Sequence, residues 1–211
     1  MAESDSDSSP ELQFHNTPNW LTLSRIAAVP VVVGLMFIQE PYWDWAAALL
    51  FAAASITDYF DGYIARASNT VTIYGKLLDP LADKFLVVSS LIMLQELGRI
   101  HPIVVILLVC RELAITGLRA LASAEGVIIA ASGGAKWKTA TQMVAIPFII
   151  INQDLLGLPL YSVGKGLLWI SLGMSLWSAK DYVVDFFRGV QLKHRKQREA
   201  KRLARGKKSK K

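Results

Sequence analysis

Six apolar stretches, at roughly residues 20–38, 43–65, 76–97, 102–122, 139–153 and 161–187, set the terms on which this chain can fold. A helix needs about 20 mostly apolar residues to cross the hydrocarbon core of a bilayer, and most of these stretches qualify, the fifth being the shortest. A soluble helical bundle would show polar faces at a period of 3.6 residues. Here "IVVILLVC" and "LLWISLGMSLW" are apolar on nearly every side. With 53% hydrophobic residues in 211, the chain fits one membrane domain. The expected fold is all-α, a polytopic membrane protein with six transmembrane helices.

Charge orients that arrangement. The formal net charge of +6 is misleading, because residues 188–211 hold 12 of the 23 Lys and Arg and a single acid, Glu199. That leaves 11 basic and 16 acidic residues elsewhere, a net of −5. The expected organisation is a disordered acidic lead (1–16), a six-helix catalytic domain (17–187) and a basic cytoplasmic tail (188–211). With the tail inside, six crossings put both termini in the cytoplasm. Arg66, Lys76, Arg119, Lys136 and Lys138 then flank the cytoplasmic connections at 67–75 and 123–138, while the outer side has Arg99 and Lys165 beside Glu40, Asp44 and Asp154. Trp43, Trp45, Tyr161 and Trp169 suit an outer aromatic belt. A juxtamembrane basic tail favours contact with anionic lipid, at about 1 kcal/mol per basic residue, over nucleic acid. The start "MAESDSDSSPE" has neither the basic n-region of a secretory signal nor the Arg-rich character of a transit peptide, which favours a bacterial cytoplasmic (inner) membrane. The one cysteine, Cys110, forms no intramolecular disulfide and is expected to be a buried, inert thiol.

Four aspartates interrupt this hydrophobic pattern. Asp58 and Asp61 fall near the cytoplasmic end of the second helix, and Asp79 and Asp83 in the first turns of the third. Spacings of i,i+3 and i,i+4 put each pair on one helical face. A connection of about nine residues makes the two helices antiparallel neighbours, so the four carboxylates can converge. Packed together they would repel one another, and each is costly at membrane depth. Bound cations offset both problems. Mg²⁺ favours carboxylate oxygens and keeps positions open for phosphates, and two such ions can clamp a phosphoryl group. A single aspartate pair could be a solvated helix end; two facing pairs point to metal. Gly62 and Ala65 leave room beside the carboxylates, Arg66 supplies a fixed positive charge, and Gly75 permits a turn or a close approach.

In full, Asp58-x2-Asp61-Gly62-x2-Ala65-Arg66-x8-Gly75-x3-Asp79-x3-Asp83 resembles, at every fixed position, the signature of the CDP-alcohol phosphotransferases. The resemblance implies a six-helix membrane enzyme, usually a homodimer, that moves a substituted phosphate from a CDP-linked donor to an alcohol and releases CMP. It implies that Asp58, Asp61 and Asp79 bind metal (Mg²⁺ or Mn²⁺, two ions), with Asp83 completing the set and acting as catalytic base. It further implies that Asp58, Gly62, Ala65 and Gly75 shape the CDP-donor site and that Arg66 meets the donor pyrophosphate. An alcohol nucleophile must lose its proton, and crowding by other carboxylates would raise Asp83 above the ordinary aspartate value near 3.9.

The acceptor is read from residues outside the signature. Arg111 and Arg119 are eight residues apart on the fourth helix and share one side; Arg111 is deep enough to need an anionic partner, either Glu112, an aspartate or a substrate phosphate. Lys136 and Lys138 stand beside the start of the fifth helix. Four basic groups suit a phosphorylated acceptor, with helix-end snorkelling and topology charge as the alternative for the lysines and, less so, for Arg111. "TPNWLTLSRI", "RELAITGLR" and "KWKTATQM" resemble the phosphatidylglycerophosphate synthase branch of the family, whose donor is CDP-diacylglycerol and whose acceptor is sn-glycerol 3-phosphate. Asn19, Thr22 and Arg25 belong to the first of these segments. Inositol phosphate is the alternative acceptor. From another class, the four acids suit a divalent-cation transporter, but transport sites usually lie near the bilayer midplane and Arg66 would repel an entering cation.

Overall fold

The computed structural model describes the backbone of residues 17–68, 73–126, 134–155 and 157–208, and the side chains of 23–57, 84–126, 137–155, 157–193, 195 and 198. Over these residues the chain forms α1 (Thr17–Ile38), α2 (Pro41–Ser68), α3 (Ile73–Glu96), α4 (Pro102–Ala124), α5 (Gly134–Ile151), a hairpin of β1 (Asp154–Leu155) and β2 (Leu158–Pro159), and α6 (Leu160–Lys208). Each helix covers one of the six apolar stretches, so the all-α expectation holds. α6 runs for 49 residues, beyond the apolar stretch and through most of the basic segment. Between Val190 and Arg205 there is no Gly or Pro to stop it, and Lys, Arg, Gln and Leu are good helix formers. Among the described residues no helix is long and apolar enough to cross a membrane. In α4 the apolar run is broken by Arg111, Glu112 and Arg119.

Local chemistry sets the boundaries. Gln39, at φ 59, turns the chain out of α1. Pro41 then opens α2, where its missing N–H would have had no helical partner. α3 closes with a Schellman arrangement: Gly98 takes φ 69, its N–H donates to the Gln95 carbonyl, and the Arg99 N–H donates to the Leu94 carbonyl. α4 is capped by His101, whose Nδ1 accepts from the Ile103 N–H at 3.3 Å. The hairpin pairs Asp154 with Pro159 and Leu155 with Leu158, and Gly157 supplies the left-handed residue (φ 81) its turn requires.

Packing divides the chain into two compact units, one of residues up to 105 with 142–168, the other of 106–141 with 169–211. In the first, α1 packs along both α2 and α3, with α2 and α3 touching each other sparingly among the described residues. Val32 and Met36 of α1, Phe51 of α2, and Leu86 and Leu94 of α3 are buried. The start of α6 lies tight against α5. A methyl group at Gly164 would come within 2.8 Å of Ile149 Cγ1 and 3.0 Å of the Ala145 carbonyl oxygen, so only glycine allows this approach. Arg99, turned inward by the Schellman motif, donates to Asp44 Oδ2 at 2.8 Å and to the Ile150 carbonyl, while its own carbonyl accepts from the Tyr161 hydroxyl at 3.0 Å.

In the second unit α6 turns Ser171, Ser175, Ser178 and Tyr182 inward, spaced for one helical face. α4 buries Leu108, Arg111 and Ile115 and presents Ile106, Leu113 and Leu121 outward. Cys110 is exposed, which corrects the expectation of a buried thiol. Its position explains this: Arg111 faces inward, and the preceding residue, about 100° around the helix, faces out.

Candidate active site

Three of the four cations assigned to the acceptor have described side chains, and two of them share one carboxylate. Glu112 Oε2 lies 2.9 Å from Arg111 Nη1 and 2.7 Å from Lys138 Nζ. Arg111 and Lys138 are buried, whereas the Glu112 side chain is 33% exposed. Of the three partners a deep Arg111 could have, the structure supplies Glu112. The second unit also fixes both cations from behind. Arg111 Nε donates to the Ser175 carbonyl at 3.0 Å, and the Ser171 hydroxyl donates to the Lys138 carbonyl at 3.1 Å.

Burial pushes the Lys138 ammonium below the ordinary lysine range; the hydrogen bond and charge of Glu112 pull it back up, and the positive charges of Arg111 and Arg119 add to the lowering. Arg119 is exposed, with its guanidinium 5.6 Å from the centre of the Tyr182 ring. The arrangement can receive a compact, multiply charged anion.

Asp58, Asp61, Gly62, Ala65 and Arg66 lie on the last turns of α2; Gly75, Asp79 and Asp83 lie on the first turns of α3; Lys136 lies in the first turn of α5. Their side chains, with those of Asn19 and Thr22, are outside the described residues. α2 runs to Ser68 and α3 from Ile73, so both helices reach into the expected 67–75 connection, and residues 69–72 lie outside the described residues. Among the described residues no group of three or more His, Cys, Asp and Glu side chains gathers to hold a metal. Arg25 is buried on α1 at 4% exposure.

Sequence reasoning gave Glu112 no place among the site residues. Its second partner is 26 positions away, and only the tertiary fold brings the two together. The Asp44–Arg99 pair was likewise read as two separate outer charges.

A family model described as CDP-alcohol phosphatidyltransferase matches residues 15–177. A CDP-diacylglycerol–glycerol-3-phosphate 3-phosphatidyltransferase of Rickettsia bellii is 41% identical over 170 residues, covering 79% of this chain and 93% of its own length. A protein of the same name from Bacillus subtilis is 36% identical over 182 residues, with 79% and 93% covered. A cardiolipin synthase (CMP-forming) of Oryza sativa is 32% identical over 206 residues, covering 89% of this chain and 62% of its own. With a family match across most of its length and relatives this similar, the chain belongs to the CDP-alcohol phosphatidyltransferase family.

Proposed function

We propose that this chain transfers the phosphatidyl group of CDP-diacylglycerol to sn-glycerol 3-phosphate, giving phosphatidylglycerophosphate and CMP. The names of the Rickettsia and Bacillus relatives support the reaction. The observation that carries the choice of acceptor is the buried pair of cations, Arg111 and Lys138, gathered on one carboxylate beside Arg119. Cations kept out of water and already oriented bind a phosphate with little reorganisation. An uncharged acceptor such as inositol gives such a cluster no anion to bind, and the lone carboxylate of serine carries less charge than a phosphomonoester.

Four carboxylates, two on each of two helices, form a hard oxygen donor set that suits Mg²⁺ or Mn²⁺. Asp58, Asp61 and Asp79, with Asp83, would hold two such ions, which neutralise the charge of the donor pyrophosphate when bound. Gly62, Ala65 and Gly75 leave space for the nucleotide, and Arg66 pairs with the pyrophosphate. Arg111, Arg119, Lys136 and Lys138 orient the phosphate of the acceptor. Asp83 takes the proton of the acceptor's primary hydroxyl as its oxygen bonds to the lipid-side phosphorus, and the bond from that phosphorus to the CMP oxygen breaks.

The reaction joins a lipid to a water-soluble acceptor, and we place the chain in a bacterial cytoplasmic membrane as a homodimer, with both termini and the active site facing the cytoplasm. Apolar exposure supports a lipid setting: Phe37, Trp137 and Trp177 are each about 70% exposed. The basic end of α6 contacts anionic head groups.

The deciding experiment is CMP release by the purified chain with CDP-diacylglycerol and Mg²⁺. Glycerol 3-phosphate, inositol phosphate, inositol, serine and phosphatidylglycerol are compared, with chromatography separating phosphatidylglycerophosphate from cardiolipin. Turnover is expected with glycerol 3-phosphate alone and is expected to be lost in Asp83→Asn. Turnover with inositol phosphate instead would overturn the acceptor assignment and leave the aspartate chemistry standing.

A further inference from the structure

We infer that Glu112 is the positioning residue of the acceptor cluster, the group that holds Arg111 and Lys138 together as a preformed receptor for a phosphomonoester. This rests on the reading of α4 and α5 as the acceptor-binding elements. A single oxygen, Oε2, accepts from Arg111 Nη1 at 2.9 Å and from Lys138 Nζ at 2.7 Å, joining cations from two helices. α6 fixes both from the other side, through the Ser175 carbonyl on Arg111 Nε and the Ser171 hydroxyl on the Lys138 carbonyl. The guanidinium has five N–H donors and the ammonium three. Arg111 gives two of its donors and Lys138 one to these partners, and the rest serve no other described residue. A carboxylate that is one-third exposed beside two buried cations puts the cluster at the edge of solvent, where a soluble anion arrives.

Charge points the same way. Among the described side chains, three cations, Arg111, Arg119 and Lys138, and one carboxylate leave two positive charges, and a phosphomonoester carries about −1.5 to −2 at neutral pH. Without Glu112 the three cations repel one another and burial favours loss of the Lys138 proton. With it, the charged form of Lys138 is favoured and the ammonium is held in place. A carboxylate that merely occupied the phosphate site in the acceptor's absence would have the opposite consequence, because removing it would tighten acceptor binding.

The test uses the full chain in lipid nanodiscs, with wild type, Glu112→Gln and Glu112→Asp side by side. Glycerol 3-phosphate affinity is measured by calorimetry without donor, and steady-state kinetics are run with it. Charge-assisted hydrogen bonds of this kind place the expected loss of acceptor affinity in Glu112→Gln at about tenfold or more. KM for glycerol 3-phosphate rises with it, while kcat at saturating acceptor and KM for CDP-diacylglycerol move far less. The alkaline limb of kcat/KM shifts to lower pH in Glu112→Gln and by less in Glu112→Asp, which keeps the charge but not the reach. Unaltered or tighter acceptor binding in Glu112→Gln overturns the inference, as does an equal fall in every kinetic parameter. If Glu112→Gln does not fold, Glu112→Asp decides, since its shorter arm cannot reach both cations and an unaltered KM for glycerol 3-phosphate is then the overturning result. A wild type that releases no CMP with glycerol 3-phosphate overturns the acceptor reading and this one together. Wild-type turnover with unaltered acceptor binding in the variants overturns only this one.

Discussion

Burial draws the Lys138 ammonium downward from 10.5, Glu112 raises it, and Arg111 and Arg119 lower it further. Between its folded value and 10.5 the unfolded chain binds more protons at this position than the folded chain does. Stability therefore rises with pH across that window, and the cost of the buried charge is fully present below it. On the proposed role of Lys138 in holding the acceptor phosphate, the same proton would govern acceptor capture. For the free enzyme, kcat/KM for glycerol 3-phosphate is expected to fall on the alkaline side before an ordinary lysine would titrate, and Lys138→Arg, which does not titrate there, is expected to move that limb upward. A limb unmoved by Lys138→Arg would assign the titration to another group. At this scale the sequence was most informative where a charge stood in apolar surroundings. Arg111 demands a partner in such a run whatever the fold. Glu112 carries no comparable mark. Beside Arg111 it reads as a local neutralising charge, and the bond to Lys138 that makes it more than that depends on how α4 and α5 meet.

Helices were legible for a simple reason: each apolar stretch is long enough to exclude a strand, and Gly98, Gly126 and Pro41 punctuate the connections. What the pattern hides is the use of those punctuation marks. Gly98 does more than end α3. Its left-handed backbone turns Arg99 inward, where the guanidinium joins the first turn of α2 through Asp44 to the last turn of α5 through the Ile150 carbonyl. Hydropathy cannot show this, since an arginine between two apolar stretches reads equally well as a loop charge. Removing one partner of a buried pair leaves the other charged and unpaired, a loss of about 3–5 kcal/mol. Asp44→Asn is accordingly expected to lower the melting temperature sharply, and the apolar double replacement Asp44→Leu with Arg99→Met to recover most of the loss. Equal melting of Asp44→Asn and wild type would show that the pair is solvated and contributes little.

Each unit of the molecule buries charged side chains within a mostly apolar interior and exposes large apolar ones. The first buries Asp44 and Arg99 and exposes Phe37 and Ile92; the second buries Arg111 and Lys138 and exposes Leu113 and Trp177. In water such a surface would drive association, and the buried charges would gain little from being hidden. In a bilayer both features are favourable, because hydrocarbon welcomes the apolar side chains and charge is tolerated only where it is paired within the protein. The single cysteine tests this directly. Cys110 is exposed on the outward face of α4, between Ile106 and Leu113, with Arg111 turned the other way. If that face meets lipid, a charged, membrane-impermeant maleimide is expected to leave Cys110 unmodified in native membranes, since the reagent does not enter hydrocarbon. Full labelling is expected once the chain is unfolded in strong detergent. Were the same face bathed in water, labelling would be rapid in the native state. Mass spectrometry of the intact chain before and after unfolding separates the two outcomes, and fast native labelling would remove lipid from the account of how this surface is covered.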